Sequence, residues 1–424
     1  MEAYFDANAT CPIPPESWLE LCTLAESFGT LGNPSSQHKW GRNANVALES
    51  FRKVIAKPFD LEPNQVILTS GATESNQLAL TGVLNQFQWT QGDADSAQIS
   101  LHVVCGATEH PSALSPLEKW TQGGPHRVLT QVPPQADGTI HVECVFKSLR
   151  HETVLLSLMA ANNETGHVYP VLLIATLLHI LRWGSDSQKL KLLEEHPFLE
   201  IPLTWPSTYW QKLHFHVDAT QSIGKIPLHH WWGQGVDSAS FSGHKWGSLP
   251  GVGVLLLRRG RKFLPLFWGG AQERNRRPGT QNLWGALSLR LGWESLFKDE
   301  LSYIQKWDPI RNYLKNMEDE LHTLNQVRVV SQVGTGLPNT LMFTCLKPLQ
   351  SQDVLMELDM AGVYASSGSA CSSGTSQPSH VLQALGLSPS EWSQGVRISA
   401  THHTTLKELD YLKTQLFRVL QRSH

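Results

Sequence analysis

The sequence of 424 residues lacks the features of several large protein classes. Lys and Arg total 34 against 37 Asp and Glu, giving a formal net charge of −3, and this balance argues against a broad nucleic-acid-binding surface. The longest apolar run, 171–181, contains His179 and is shorter than the roughly 18 to 20 residues that span a bilayer. Glu2 stands where a secretion signal would carry basic residues. We expect a soluble, cytoplasmic protein that binds neither nucleic acid nor membrane.

Cysteine is also sparse, and its spacing excludes two common uses. The six cysteines include no C-x-x-C pair, so neither a zinc knuckle nor a dense disulfide framework is indicated, and no metal site is predicted. Cys371 differs from the rest because small polar residues surround it from 366 to 375. That composition predicts a loop. Taken alone, it leaves open whether the thiol is functional or merely exposed.

Between about residues 64 and 257, short apolar or β-branched runs alternate with longer helical patterns. This alternation is typical of a parallel sheet covered by helices, so we predict an α/β fold for this part of the chain. The predicted strands cover 65–68, 101–104, 128–129, 153–158, 215–217 and 252–257.

After about residue 300 the pattern changes to that of a smaller α+β domain. The pattern therefore predicts a large α/β domain that ends near residue 299 and a small α+β domain over 300–424. Two segments, 91–97 and 184–211, lack clean periodicity and are expected to be surface insertions. The predicted helices cover 303–324, 353–360, 380–385 and 405–420, with strands over 327–330 and 339–343.

A turn at Gly71-Ala72-Thr73 separates a predicted strand from an apolar helix. Such a turn leaves backbone N–H groups at a helix N-terminus, where the helix dipole favours an anion. The Thr73 hydroxyl could donate to the same anion. The turn is therefore a candidate phosphate site, although an ordinary helix cap with Glu74 in the first turn fits the same pattern.

Two further residues stand at the ends of predicted strands. Lys245 follows the small turn Ser242-Gly243-His244 and could act as a Schiff-base amine, or simply be a solvated loop lysine. Asp218 ends a strand that should be buried, where a carboxylate could hold a pyridinium nitrogen or merely cap a turn. A phosphate turn, then a strand-end Asp, then a Lys is the chain order of a pyridoxal phosphate site.

The chain as a whole resembles a known family. It is similar to the fold-type-I pyridoxal-phosphate enzymes of the class V aminotransferase group, and within that group to cysteine desulfurases of the nitrogen-fixation and iron–sulfur-assembly type. The matching motifs are 69–76, 366–373, Tyr4-Phe5-Asp6-Ala7-Asn8-Ala9-Thr10, Gly32-Asn33-Pro34-Ser35-Ser36-Gln37-His38, Thr108-Glu109-His110, Asn162-Asn163-Glu164-Thr165-Gly166, His216-Val217-Asp218-Ala219-Thr220-Gln221-Ser222, Ser242-Gly243-His244-Lys245, Arg277-Pro278-Gly279-Thr280-Gln281-Asn282 and Val396-Arg397-Ile398-Ser399.

This resemblance implies an α/β fold with a large, mostly parallel sheet domain over 15–299 and a small α+β domain formed by 1–14 and 300–424, which carries the Cys371 loop. It also implies roles for the cofactor-binding residues. Lys245 would carry pyridoxal 5'-phosphate covalently and move the substrate's α-proton. His110 would stack on the ring and take part in proton transfer. Asp218 would pair with the ring nitrogen, and Gln221 with the ring hydroxyl. The remaining cofactor contacts would be Ala72, Thr73, Asn163, Ser242, His244 and, from the neighbouring subunit of a homodimer, Thr280.

The resemblance also implies a substrate and a reaction. L-cysteine would bind near Asn33 and Asn163, with Arg397 holding its carboxylate. Cys371 would take the sulfur as a persulfide, leaving L-alanine, and pass it to a protein acceptor such as an iron–sulfur scaffold. The long loop around Cys371 resembles that of the nitrogen-fixation branch.

Three positions depart from the family pattern. Cys11 replaces a usual threonine, 248–250 replaces a Gly-Pro-Lys stretch, and 400–402 replaces Leu-Gly after the arginine strand. Two alternatives to a cysteine desulfurase therefore stay open: a selenocysteine lyase, and a degenerate paralogue that acts as a scaffold.

Overall fold

The structure is a computed structural model that describes residues 1–28, 32–89, 100–199, 204–297, 302–368 and 378–422. The predicted insertion at 91–97 and the predicted nucleophile Cys371 lie outside these ranges. None of the helices within them is long and apolar enough to cross a membrane.

A seven-stranded sheet with the strand order β2-β8-β7-β6-β5-β3-β4 is the centre of the fold. The strands from β7 to β4 are parallel, whereas β8 runs antiparallel to both of its neighbours. Every strand predicted between residues 64 and 257 is present, and the α/β prediction is confirmed. The strands are β2 Val66–Thr69, β3 Leu101–Gly106, β4 Arg127–Val132, β5 Thr153–Met159, β6 His214–Asp218, β7 Ser238–Ser242 and β8 Gly253–Leu257.

Helices cover both faces of this sheet, so consecutive strand residues point into different cores. Val103 packs in one apolar cluster and Val104 in the other, and Leu255 and Leu256 divide in the same way. This is why the strands read as continuous apolar runs. The helices of this part are α1 Pro15–Phe28, α2 Lys39–Ala56, α3 Ala72–Trp89, α4 Pro111–Thr121, α5 Val142–Ser148, α6 Val171–Trp183, α7 Asp186–Glu195, α8 Ser207–Lys212, α9 Gln272–Asn275 and α10 Leu283–Leu296.

The C-terminal part has its own sheet and its own apolar core. The strands β9 Val327–Val329, β10 Thr340–Cys345 and β12 Gly395–Ser399 form an antiparallel sheet in the order β12-β10-β9. The N-terminal strand β1 Ala3–Tyr4 pairs in parallel with β11 Val363–Tyr364. Residues 1–4 therefore pack with the C-terminal part. Its helices are α11 Ser302–Gln305, α12 Asp308–Leu321, α13 Ser351–Met360, α14 His380–Ala384 and α15 Leu406–Arg422.

The prediction of one long helix over 303–324 is wrong. The structure has two helices there, Ser302–Gln305 and Asp308–Leu321. Pro309 lies in the first turn of the second helix. Proline has no N–H to donate to a preceding turn, so it starts a helix and cannot continue one.

The segment 184–211 is only partly a surface insertion. It contains α7 and the start of α8, and Trp210 at its end is 1% exposed within the main apolar core. Arg182 precedes the segment, and its guanidinium donates to the carbonyl groups of Trp210 and Leu213, both at 2.9 Å. It also forms a buried ion pair with Asp237 at 2.8 Å. The prediction is therefore wrong for the residues around Trp210.

Candidate active site

A cavity of about 530 Å³ lies beside the carboxyl ends of β5, β6 and β7. This is the edge at which open α/β sheets bind ligands. The cavity brings together most of the predicted site residues, which come from turns far apart in the chain. Those that line it are Ala72, Thr73, His110, Asn163, Asp218, Gln221, Ser242, His244 and Lys245.

One end of the cavity is the turn between β2 and α3. The Ser75 N–H donates to the Gly71 carbonyl at 3.0 Å, so the N–H groups of residues 72–74 precede the helical hydrogen bonds and are available to an anion. The turn lies close against β8, because a Cβ atom added to Gly253 would be 2.5 Å from the Gly71 Cα. Only glycine at position 253 allows this approach.

Asp218 is the last residue of β6 and is 4% exposed. Its Oδ2 accepts from the Asn76 side-chain amide at 2.7 Å, and its Oδ1 accepts from the Thr220 N–H at 2.9 Å. Asn76 in turn accepts from His216 Nε2 at 3.0 Å. Burial lowers the pKa of His216 to about 3. The ring is therefore neutral, and it fixes the amide that orients the Asp218 carboxylate.

Lys245 ends a short 3-10 turn, Gly243–Lys245, that follows β7. Its Nζ donates to the carbonyl groups of Asn8 and Ala9 at 2.7 and 2.8 Å. The amine is therefore held at the cavity by the N-terminal segment, unlike a solvated loop lysine. The neighbouring His244 is partly buried, and burial together with the Lys245 charge lowers its pKa to about 4.

His110 caps the N-terminus of α4. Its Nδ1 accepts from the Ser112 N–H at 3.0 Å, and burial lowers the pKa of the ring. A neutral imidazole whose Nδ1 accepts carries its hydrogen on Nε2. His110 is thus held in one tautomer at the edge of the cavity.

Three predicted site residues do not line this cavity. Arg397 is fully buried in β12, where its Nη2 donates to Asp6 Oδ1 at 2.7 Å and its Nη1 to the Asn163 carbonyl at 3.0 Å. It therefore reaches the cavity only through Asn163. Asn33 lies away from the cavity, and its Oδ1 accepts from the Ser35 N–H at 2.9 Å. Thr280 also does not line the cavity, and it is exposed to solvent.

Several residues that organise the site were not found from the sequence. Asn76 orients Asp218, and Asn8 contacts both Lys245 and the buried Lys225. These contacts join residues more than 100 positions apart, so no local spacing shows them. Asn8 and Asn76 each lie within a motif that carries the family resemblance, and these two motifs are the signals that could have identified them.

The cavity residues fit pyridoxal phosphate. The helix N-terminus with Thr73 suits a phosphate, the Asp218 carboxylate suits a ring nitrogen, and the Lys245 amine suits an aldehyde. The buried Thr220 Oγ1 of the same cavity has no hydrogen-bond partner within the described ranges, which leaves it available to a polar ligand. The fold and this set of residues define the class of the protein: a fold-type-I pyridoxal-phosphate enzyme.

Comparisons with known proteins give the family. A sequence profile of the aminotransferase class-V family matches residues 3–182 and 208–412. Cysteine desulfurase IscS of Dictyoglomus turgidum is 31% identical over 424 residues, covering 99% of this chain and 95% of the relative. Cysteine desulfurase of Trichormus azollae is 30% identical over 420 residues, covering 99% and 93%.

Solved structures agree with these relatives. A NifS-like protein superposes with a TM-score of 0.80 and 27% identity over 100% of both chains. DndA of Streptomyces lividans gives a TM-score of 0.69 and 27% identity over 93% of this chain and 98% of its own. The chain therefore belongs to the class-V aminotransferase family and, within it, to the group of the cysteine desulfurases. The family profile leaves out 183–207, which overlaps the predicted insertion from residue 184 onward.

Proposed function

We propose that the chain is a pyridoxal-phosphate-dependent cysteine desulfurase, which converts L-cysteine to L-alanine and holds the sulfur as a persulfide on Cys371. One observation carries the proposal: a single cavity joins the Lys245 amine, the buried Asp218 carboxylate, His110 and the N-terminus of α3. The family membership supports the same reaction.

The bound cofactor supplies an electron sink for the bond that breaks at the substrate's α-carbon. Asp218, fixed by Asn76 and the Thr220 N–H, keeps the ring nitrogen protonated. Residues 72–74 and Thr73 Oγ1 bind the phosphate. Lys245 binds the cofactor and moves the proton at the substrate's α-carbon, and His110 is placed to assist from the edge of the cavity.

Arg397 is the proposed partner of the substrate carboxylate. Its guanidinium already donates to the Asn163 carbonyl at 3.0 Å, and Asn163 lines the cavity. The planar fork of arginine suits a carboxylate. Arg397 Nε is buried without a hydrogen-bond partner among the residues that the structure describes, so the group has donor capacity left for a ligand.

Cys371 is the proposed nucleophile, and the described residues on either side of 369–377 support this role. Ser366 Oγ donates to Asp6 Oδ1 at 2.7 Å, beside Arg397. On the other side, the His380 ring lies 2.8 Å from the Glu109 carbonyl, next to His110. The described residues that flank 369–377 therefore lie beside Arg397 on one side and beside His110 on the other.

The sulfur transfer conserves atoms and electrons. The Cys371 thiolate forms an S–S bond with the substrate's sulfur, and the C–S bond of the substrate breaks. The electron pair of that bond stays with the carbon fragment, which takes up protons and leaves as L-alanine. A persulfide remains on Cys371, and it can pass to a protein acceptor such as an iron–sulfur scaffold.

The organisation of the protein is also a proposal. We place the domain boundary so that 15–299 forms the large domain and 1–14 with 300–424 the small one. We propose a cytoplasmic homodimer in which Thr280 reaches the partner's phosphate. The exposure of Thr280, away from the cavity of its own chain, supports this arrangement.

Two substitutions test the reaction because they remove different steps. Cys371→Ser should bind pyridoxal phosphate with the wild-type visible absorbance, since Lys245 and Asp218 are untouched. Alanine formation from L-cysteine should fall by at least about a hundredfold, because a serine hydroxyl is not ionised near neutral pH and is a poor nucleophile toward sulfur. Lys245→Ala should lose both the absorbance and the turnover.

Peptide mapping after brief exposure to L-cysteine and alkylation should place the extra sulfur on Cys371 alone. Cys22, which is exposed, serves as the internal control for non-specific sulfur. Wild-type sulfide release by Cys371→Ser would contradict the proposal and point to β-elimination. Turnover of selenocysteine but not cysteine by the wild type would point to a selenocysteine lyase. A wild type that shows no visible absorbance with added cofactor would favour a scaffold.

A further inference from the structure

Lys225 is a buried amine behind the cofactor cavity. It is 4% exposed, and its Nζ donates to Asn8 Oδ1 at 2.8 Å and to Gln221 Oε1 at 2.5 Å. Nothing in the proposed reaction uses this side chain. Lysine is rarely buried so completely unless it is paired.

The contact with Lys225 decides how the Gln221 amide is oriented. A side-chain amide has one accepting and one donating end, and only its hydrogen-bond partners distinguish them. In its ammonium form, which is present below its pKa of about 7, Lys225 can only donate, so the end of the amide that faces it is the Gln221 carbonyl oxygen. The amide nitrogen then faces the other way, where it donates to the Asn8 carbonyl at 3.0 Å. Gln221 also lines the cavity.

Asn8 connects this pair to the catalytic amine. Its main-chain carbonyl accepts from Lys245 and from Gln221, while its side-chain oxygen accepts from Lys225. Asn339 also donates to that side-chain oxygen at 3.2 Å. Removing Lys225 would therefore leave Asn8 with a partner, and the free acceptor would be the Gln221 oxygen.

The two lysines also influence each other electrostatically. Burial and the nearby Lys245 charge lower the pKa of Lys225 to about 7. A second cation close to a Schiff-base lysine favours its neutral, nucleophilic form.

We propose that Lys225 is a positioning residue, which fixes the Gln221 amide so that one N–H donates to the Asn8 carbonyl and the second N–H is available to the ring hydroxyl oxygen of the cofactor. The inference rests on the proposed function, because it takes Gln221 to contact that hydroxyl. A donor at this oxygen stabilises its ionised form, whereas a flipped amide would present an oxygen and repel it.

A double-mutant cycle on cofactor affinity tests the inference. Lys225→Met keeps a similar volume and removes the donor, and it should raise the dissociation constant of pyridoxal phosphate about tenfold. Gln221→Ala should raise it by a similar factor. In the Gln221→Ala background, Lys225→Met should add no more than about twofold, because the amide that it orients is gone.

The titration uses the quenching of tryptophan emission as pyridoxal phosphate is added to the cofactor-free protein. Lys225→Gln retains a donor without the charge and should recover most of the lost affinity. Ser222→Ala is the matched control, since Ser222 is buried in the same turn and its hydroxyl donates to the Ala219 carbonyl at 2.8 Å. It should leave the dissociation constant within about twofold of the wild type.

A spectroscopic readout separates positioning from general destabilisation. In Lys225→Met the pH midpoint of the bound cofactor's visible absorbance should move upward by about one pH unit, because a donor and a nearby cation are both lost. An unchanged midpoint, or affinity losses that simply multiply in the double variant, would overturn the inference. A wild type that binds no cofactor would instead overturn the proposed function.

Discussion

The Arg397 side chain already holds a carboxylate in this structure. Asp6 Oδ1 accepts from Arg397 Nη2 and from the Ser366 hydroxyl, both at 2.7 Å. A substrate carboxylate that binds the guanidinium competes with Asp6 for the same donor. In the proposed function, the free energy of substrate binding therefore includes the cost of breaking this ion pair.

We expect Asp6→Asn to strengthen substrate binding and weaken the fold. Removing the competing charge should lower the KM for L-cysteine about fivefold, roughly 1 kcal/mol, with little change in kcat. The same change leaves a buried guanidinium without its counter-ion, so the urea midpoint of unfolding should fall. Steady-state kinetics and urea titration measure the two effects.

Ser366→Ala is the control for this variant. It removes a hydroxyl from the cluster but keeps the charge pair, so its KM should stay within about twofold of the wild type. A higher KM in Asp6→Asn would show that Asp6 orients Arg397 for the substrate and does not compete with it.

Single residues show where prediction from the sequence succeeds and where it ends. The placement of Asp218 and Lys245 could be predicted from the sequence. Asp218 is the last residue of one strand and Lys245 follows another, and the residues of each strand identify it. Asn76 and Lys225 could not be predicted in this way, since their partners are distant in the chain and ordinary in type. The placement of Arg397 against Asp6 likewise depends on a contact between positions 391 residues apart.

Among the elements, the central strand β6 contains two buried histidines that are uncharged in the folded protein. His214 and His216 lie on the same side of the strand, and both contact the Ser238 hydroxyl, at 2.7 and 2.8 Å. Burial lowers the pKa of His214 to about 4 and that of His216 to about 3. The strand that ends in Asp218 is therefore sensitive to acid.

The sign of this effect follows from the two pKa values of each histidine. A histidine in the unfolded chain has a pKa of about 6.5. Below that pH the unfolded chain therefore binds protons that the buried histidines of the folded protein do not bind. The stabilisation is full above about pH 6.5 and is lost as the pH falls toward the folded value. For His214 the loss falls mainly between about pH 6.5 and about pH 4, the folded value.

His214→Gln should therefore flatten the pH dependence of unfolding. Between about pH 6.5 and about pH 5, the urea midpoint of the variant should fall less than that of the wild type. His126 is exposed, and His126→Gln is the control that should keep the wild-type slope. Equal slopes for wild type and His214→Gln would show that His214 does not contribute to this acid sensitivity.

The elements also show the limits of pattern reading. Apolar runs identified the strands of the large sheet, but nothing in a run tells that β8 lies antiparallel between β2 and β7. The amphipathic pattern of 303–324 continues through Pro309, where the backbone divides into two helices. Periodicity reports which side of a segment is buried, and proline chemistry decides whether the helix is continuous.

At the scale of the whole molecule, the proposed dimer predicts that two inactive variants can complement each other. In Lys245→Ala the catalytic amine is missing, and in Thr280→Asp a carboxylate repels the partner's phosphate. A heterodimer of the two has one site with both native residues. Co-expression with random pairing should restore about a quarter of the wild-type activity.

Each variant expressed alone provides the baseline, and the mass of the particle is measured in parallel by light scattering. Activity in the mixture equal to the sum of the two baselines would contradict a shared site. A fully active monomer at high dilution would contradict the dimer itself.

How the large N-terminal part and the smaller C-terminal part of the chain are built could be predicted only in outline. The change in the pattern of predicted helices and strands near residue 300 indicates a second domain. The family resemblance assigns residues 1–14 to that domain as well. The pairing of β1 with β11 joins residues about 360 positions apart. Such a contact leaves no trace in either short strand, because each contributes only two residues.

Arg182 has a consequence for how this chain can change its length. The family profile stops at residue 182 and resumes at 208, and the Arg182 guanidinium bonds to the carbonyl groups of Trp210 and Leu213 just beyond that gap. The two ends of the insertion are thus joined independently of what lies between them. Because closing a longer loop costs only slightly more entropy, evolution or an engineer can lengthen, shorten or replace this segment while the catalytic framework stays the same.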